Sequence, residues 1–330
     1  RRCATGRASG RKGLFCLSAS FPGASRKAGD ILKQPVFRGC GTALVTPMYP
    51  DGRVNYSMLR QLIEYQIENG ADALVLCGTT GEAPSLDDKE HLLVFAFAHE
   101  AIAGRVPFIA GTGSNDTRHA IAMSLEAKQC GADALLLVTP YYNKTNQSGL
   151  VRHYNAIADA AGLPVIVYNV PSRTGMNILP ETYRELSRHP LIVGAKEAGG
   201  SLTAAEKTKL LCGDALFLYA GNDDQIVPML SVGAVGAISV LANLAPQAVH
   251  EICSLYAHGK HAKSLCLQLQ YLPVIEALFS DVSPIAVKAA LEQMGMPVGP
   301  CRMPLGELDG SKREKLYEAL QKAGLLRHAS

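Results

Sequence analysis

The 330-residue sequence has no apolar run approaching 18 residues, so it contains no candidate transmembrane helix. It has no Cys-x-x-Cys pair, and its nine cysteines are scattered and odd in number. That usage fits reduced thiols in a cytosol-like compartment rather than a disulfide framework or a zinc site. There is no H-x-H or H-E-x-x-H, which leaves a barrel metallohydrolase without its ligands. The one close histidine pair, His258 and His261, lacks partner ligands at metal-site spacing and reads as a solvated helix end. No G-x-x-x-x-G-K-[ST] occurs, and Gly111-Thr112-Gly113 alone is weak support for nucleotide binding. No metal or cofactor is therefore expected.

Charge is unevenly placed. The formal total is +3, but residues 1–36 hold eight Lys/Arg against one acidic residue, a balance of +7 that leaves −4 for the rest. A mildly acidic body has no basic groove for nucleic acid. The first 36 residues are rich in Arg, Ser and Gly, with only Gly13 to Leu17 as a weak apolar patch, too short for a secretory signal. They read as a disordered basic extension, either an organelle transit peptide or an upstream segment with no role in the fold. The expected location is cytoplasmic, or plastid if the extension is a transit peptide.

From Gly39 onward, short apolar runs alternate with longer amphipathic ones, the pattern of repeated βα units around a parallel sheet. Strands are expected at Thr42 to Thr46, Ala73 to Cys77, Pro107 to Ala110, Ala134 to Val138, Pro164 to Tyr168, Leu191 to Ala195, Leu216 to Ala220 and Ala237 to Val240. Ser85 is expected to open a helix, and Gly70, Gly131 and Gly162 to close others. Gly70 to Leu76 and Gly131 to Leu137 repeat one another, as equivalent units should. The fold class is α/β, a (β/α)8 TIM barrel over residues 37–245. A C-terminal helical region, residues 246–330, includes the last barrel helix and an appendage.

Six polar or glycine-rich segments fall just after strands, where barrel active sites form. They are Gly78 to Glu82, Gly111 to Asn115, Thr139 to Asn143, Tyr168 to Gly175, Lys196 to Gly200 and Gly221 to Asp224. Lys196 closes the apolar run Leu191 to Ala195 and so points an amine toward the mouth of the barrel. An ordinary lysine, near 10.4, is about one part in a thousand neutral at physiological pH. An apolar barrel interior can lower that value far enough to make the amine a nucleophile toward carbonyls. Thr79 and Thr80, between a strand and a helix, can receive a carboxylate near the helix's positive end. Tyr168, one barrel position before Lys196, can relay protons, and Arg173 can clamp a carboxylate.

Gly78-Thr79-Thr80-Gly81-Glu82, Tyr168 to Gly175 and Gly194-Ala195-Lys196-Glu197, in this order, resemble the dihydrodipicolinate synthases, or 4-hydroxy-tetrahydrodipicolinate synthases, of the pyruvate-dependent class I aldolase family. The resemblance runs from about Gly39 to Leu326. It implies a Schiff base between Lys196 and pyruvate, then condensation with L-aspartate 4-semialdehyde in the diaminopimelate route to lysine. It implies a relay of Tyr168, Thr80 and Tyr142, with Tyr142 supplied by the neighbouring subunit of a homodimer or homotetramer. Thr79, Thr80, Gly221 and Ile238 would line the pyruvate site, and Arg173 would hold the semialdehyde. In family members inhibited by lysine, a glutamate and a histidine serve the effector; the matching positions are His119 and Asp88, and weak inhibition is expected. A sialic acid lyase or sugar-acid aldolase is the nearest alternative, disfavoured by Ser172-Arg173-Thr174-Gly175. A catalytically silent metabolite-binding barrel would not need the full set of side chains.

Overall fold

A computed structural model describes residues 33–326. The expected disorder or transit role of the extension falls almost entirely on residues 1–32, outside the described residues. The chain runs β1 (Gly39–Ala43), α1 (Tyr56–Glu68), β2 (Ala73–Leu76), α2 (Asp88–Ile102), β3 (Phe108–Gly111), α3 (Thr117–Gln129), β4 (Ala134–Val138) and α4 (Gln147–Ala161). It continues through β5 (Val165–Asn169), the short α5 (Pro171–Thr174), α6 (Pro180–Leu186), β6 (Ile192–Glu197), α7 (Leu202–Cys212), β7 (Phe217–Ala220), α8 (Ile226–Ser231) and β8 (Gly236–Ser239). Then come α9 (Pro246–Ala257), α10 (His261–Leu278), α11 (Ile285–Gln293) and α12 (Gly310–Lys322).

The eight strands pair in parallel and in sequence, and β1 pairs with β8, so the sheet closes into a barrel. Both faces of such a sheet are buried, which is why its strands read as nearly continuous apolar runs. Period-two alternation sorts them. Ala73 and Val75 face the barrel interior with Ile109, Leu136, Ile166, Tyr168 and Ile238, while Leu74, Leu76, Leu135, Leu137, Val167 and Ala195 pack under the helices.

The first strand begins three residues earlier than the apolar pattern predicts. Gly39-Cys40-Gly41 carries no hydrophobic signal, yet Gly41 is required: a Cβ there would lie 2.5 Å from the Phe37 ring. Phe37 stacks on Tyr219 at 4.6 Å between centroids, and the Tyr219 hydroxyl donates to the Phe37 carbonyl. This stack closes the N-terminal end of the barrel.

Residues 33–36, placed with the extension in the sequence reading, are described as part of this end. The Lys33 ammonium donates to the carbonyls of Ser187 and Ile192 at 2.6 and 2.8 Å.

Helix ends follow local chemistry, with one correction. Asp87, not Ser85, caps α2: its carboxylate accepts from Glu90 N–H and the Glu90 carboxylate accepts in return. Ser85 ends a separate 3-10 turn, Ala83–Ser85. Gly162 caps α4 in the left-handed region, and Gly70 and Gly131 take positive φ just past α1 and α3. Beyond the barrel, α9 packs against β1 and β8, α10 lies against α9, and α11 and α12 close on α10. No helix among the described residues is long and apolar enough to cross a membrane.

Candidate active site

The site is built on β5 and β6. Tyr168 and Lys196 are partners in register across the two strands. With Ala195 turned outward, Lys196 points into the barrel, and its Nζ lies 4.4 Å from the centroid of the Tyr168 ring. The amine is buried, and among the described residues it makes no hydrogen bond. Burial lowers its pKa to about 8, opposed by the Asp223 carboxylate and assisted by the Arg173 guanidinium. At that value about a fifth of the amines are neutral at pH 7.4.

Tyr168 is also buried, and burial raises its pKa; Arg173 and a hydrogen bond with the Thr79 side chain act against that, while Glu197 adds to it. The threonine that acts on the Tyr168 phenol in this way is Thr79; its neighbour Thr80, expected in the relay, is buried beside it. Two adjacent threonines in a tight turn point in different directions, and only the turn's geometry decides between them. The helix-dipole argument for this loop also changes. The 3-10 turn separates Gly78 to Gly81 from α2, whose first turn is already capped by Asp87 and carries Asp88 and Glu90. The loop's own geometry, with Thr46 donating to the Gly81 carbonyl at 2.7 Å, does the positioning.

Arg173 sits on α5, an exposed turn, donating from Nη2 to the Ser283 carbonyl at 3.2 Å. Its charge acts on both Lys196 and Tyr168, which brings it into the site. Gly221 donates to the Glu197 carbonyl at 2.8 Å, and a Cβ there would meet Ala198 Cβ at 2.8 Å, so only glycine fits beside the end of β6. Ile238 is fully buried in the same interior cluster as Tyr168. Thr80 is buried. Tyr142 is not brought in: within this chain it is 91% exposed, and it holds φ +67. Such a conformation costs a tyrosine about 1–2 kcal/mol. Cys77, Glu82 and Lys144 are also left-handed, so four of the five positive-φ non-glycine residues described flank the loops after β2 and β4.

Two buried carboxylates escaped the sequence reading. Asp223 accepts from the N–H groups of Val240 and Leu241 at 3.0 and 2.8 Å and faces Lys196 electrostatically. Its signal was present in Gly221-Asn222-Asp223-Asp224, but nothing separated it from its neighbour. Glu197, turned away from the barrel interior, accepts from Asn169, the Tyr183 hydroxyl and Gly199 N–H, and Asn169 Oδ1 accepts from Ile178 N–H. These bonds brace β6 against the loop that follows β5.

A parallel barrel with an unpartnered, partly neutral lysine beside a buried phenol is equipped for Schiff-base chemistry at its mouth. Residues 36–323 match the Dihydrodipicolinate synthetase family, and the chain belongs to it. It is 50% identical over 291 residues to the 4-hydroxy-tetrahydrodipicolinate synthase of Caldicellulosiruptor saccharolyticus, covering 88% of this chain and 98% of that protein. Identity is 48% over 297 residues to that of Thermoanaerobacter pseudethanolicus, covering 90% and 100%. Among solved structures, the chloride-inhibited dihydrodipicolinate synthase from Acinetobacter baumannii complexed with pyruvate superposes with a TM-score of 0.86 at 41% identity, covering 88% of this chain and 99% of the other. The Cyanidioschyzon merolae protein with lysine bound gives 0.87 at 37% identity, covering 89% and 100%.

Proposed function

We propose that this chain is a 4-hydroxy-tetrahydrodipicolinate synthase, condensing pyruvate with L-aspartate 4-semialdehyde through a Schiff base on Lys196. The observation that carries the mechanism is the Lys196 amine, brought to about 8 by burial and left without an acceptor against the Tyr168 ring. The neutral amine attacks the ketone carbon of pyruvate, water leaves, and the iminium so formed draws electrons from the methyl group. Loss of a methyl proton gives an enamine, whose carbon adds to the aldehyde. The amino group of the semialdehyde then displaces Lys196, releasing the cyclic product and the free enzyme.

In this reading Tyr168 moves protons to and from the carbonyl oxygen, with the Thr79 hydroxyl as its relay partner. Thr80, Gly221 and Ile238 shape the pyruvate pocket, and Arg173 binds the carboxylate of the second substrate. Tyr142 completes the relay of a neighbouring copy in a homodimer or homotetramer, which accounts for an exposed tyrosine held in a costly backbone conformation. The cytoplasm is the compartment that fits the bacterial relatives.

The test is borohydride reduction in the presence of pyruvate, followed by peptide mass mapping. A reduced pyruvate adduct on the peptide carrying Lys196 is expected, together with turnover of aspartate semialdehyde in preference to sugar-acid aldehydes. An adduct elsewhere, or none, overturns the mechanism.

A further inference from the structure

The loop that carries Thr79 is held from outside the barrel. Gly81 and Glu82 close it on itself by donating to the carbonyls of Gly78 and Thr79, both at 3.1 Å. Glu82, in the left-handed region at φ +58, then sends its carboxylate into the C-terminal helical region. There Oε1 pairs with Lys288 Nζ of α11 at 2.5 Å, and Oε2 accepts from Arg302 N–H at 2.8 Å. Both charged side chains are almost fully buried, with 3% and 0% of the Lys288 and Glu82 side chains exposed. Lys288 also donates to the Pro300 carbonyl at 2.8 Å, and Arg302 spans the Ser85 and Gly52 carbonyls and the Glu90 carboxylate. Just before the first turn of α11, the Ser283 carbonyl receives the Arg173 guanidinium.

A buried ion pair is a poor source of stability, because desolvation consumes most of the attraction; its better-attested use is to fix one arrangement among several. The arrangement fixed here links one helix to both loops assigned to substrate. We infer that α11 is the frame of the active site, and that Glu82 and Lys288 are positioning residues setting the Thr79 hydroxyl against Tyr168 and, through the same helix, its separation from Arg173. Neither residue touches the reacting atoms. The inference rests on the Schiff-base reading above, and wild-type trapping by pyruvate tests that reading separately.

The experiment measures borohydride trapping against pyruvate concentration, and melting temperature, for wild type, Glu82→Gln and the double variant Glu82→Gln/Lys288→Met. The double variant removes both charges, so no bare ion is left buried. We expect it to melt near wild type yet need about 10- to 100-fold more pyruvate for half-maximal trapping, the scale of an ångström's misplacement in a catalytic site. Glu82→Gln keeps an oxygen for Arg302 and should give a smaller rise in the same direction. Wild-type half-saturation in a folded double variant overturns the inference. Should the double variant fail to fold, unchanged half-saturation in Glu82→Gln overturns it equally, and a rise sustains it. Absence of trapping in wild type strikes the mechanism instead.

Discussion

The two ends of β6 each hold a lysine whose pKa burial has brought down to about 8, and the two are put to opposite uses. At the N-terminal end, Lys33 is spoken for: the carbonyls of Ser187 and Ile192 accept its hydrogen bonds, and it ties the chain before β1 to the barrel floor. Near the C-terminal end, Lys196 has an aromatic face beside it and no acceptor among the described residues. A lowered pKa therefore does not by itself mark a nucleophile. In the proposed mechanism an amine becomes one when the groups that would occupy it are withheld, as they are around Lys196.

The strongest way to break this contrast is to remove each amine. Lys196→Ala should lower turnover by about 10⁴-fold or more and abolish pyruvate trapping, since loss of a covalent nucleophile acts on that scale; trapping retained by a folded variant would end the case for Lys196. Arg173→Ala should leave trapping intact while lowering kcat/KM for the semialdehyde about 10- to 150-fold, as loss of a charged contact worth about 1.5–3 kcal/mol requires. An equal loss of pyruvate trapping would place the arginine on the other substrate.

A pH series sharpens the contrast. With the folded pKa of Lys196 lowered from 10.5 to about 8, the trapping rate at low pyruvate should climb about tenfold per pH unit below 8 and flatten above it. The same linkage makes the buried ammonium a burden below pH 8, relieved between about 8 and 10.5, where the unfolded chain keeps a proton the folded chain has lost. Lys196→Met should accordingly be more stable than wild type at pH 7, by up to about 3 kcal/mol. Lys33→Met lifts the same kind of ionisation burden but also strips hydrogen bonds from the Ser187 and Ile192 carbonyls, so it should gain less stability than Lys196→Met, by about 1–3 kcal/mol, with trapping unchanged. A trapping defect in Lys33→Met would erase the distinction between the two ends.

The smallest effect concerns inhibition by free lysine. His119 Nε2 and Asp88 Oδ1 lie 3.0 Å apart and satisfy each other. A lysine bound at these positions, as the family resemblance implies, would have to separate them, so half-inhibition should lie above about 1 mM with both substrates near KM, corresponding to binding weaker than about 4 kcal/mol. Tighter inhibition would mean that other groups hold the effector.

Much of this was legible in sequence, for reasons that also explain the gaps. Strands buried on both faces announce themselves as apolar runs, and β4 falls on its expected residues, Ala134 to Val138. The exception is β1, where close approach by Phe37 demands glycine and erases the hydrophobic signal. Lys196 and Tyr168 were readable because a strand end fixes both direction and neighbour. Thr79 cannot be told from Thr80, nor Asp223 from Asp224, in sequence alone, because loop residues have no periodicity to say which way they face. The pair of Glu82 and Lys288 spans more than two hundred residues, and nothing local foretells such a meeting. Tyr142 stands exposed in this chain, apart from the groups gathered around Lys196.

The stacked rings of Phe37 and Tyr219 make the barrel a cul-de-sac. With that end plugged, the loop-bearing end is the natural way in for whatever reaches Lys196, and the natural way out for whatever is made there. Traffic in a dead-end street is ordered by necessity: the first visitor must be parked before the second can enter, and the last to form must depart before the next cycle begins. Covalent capture, as proposed above, would suit that plan, because a pyruvate bonded to Lys196 could not be jostled out by the larger molecule that follows it in.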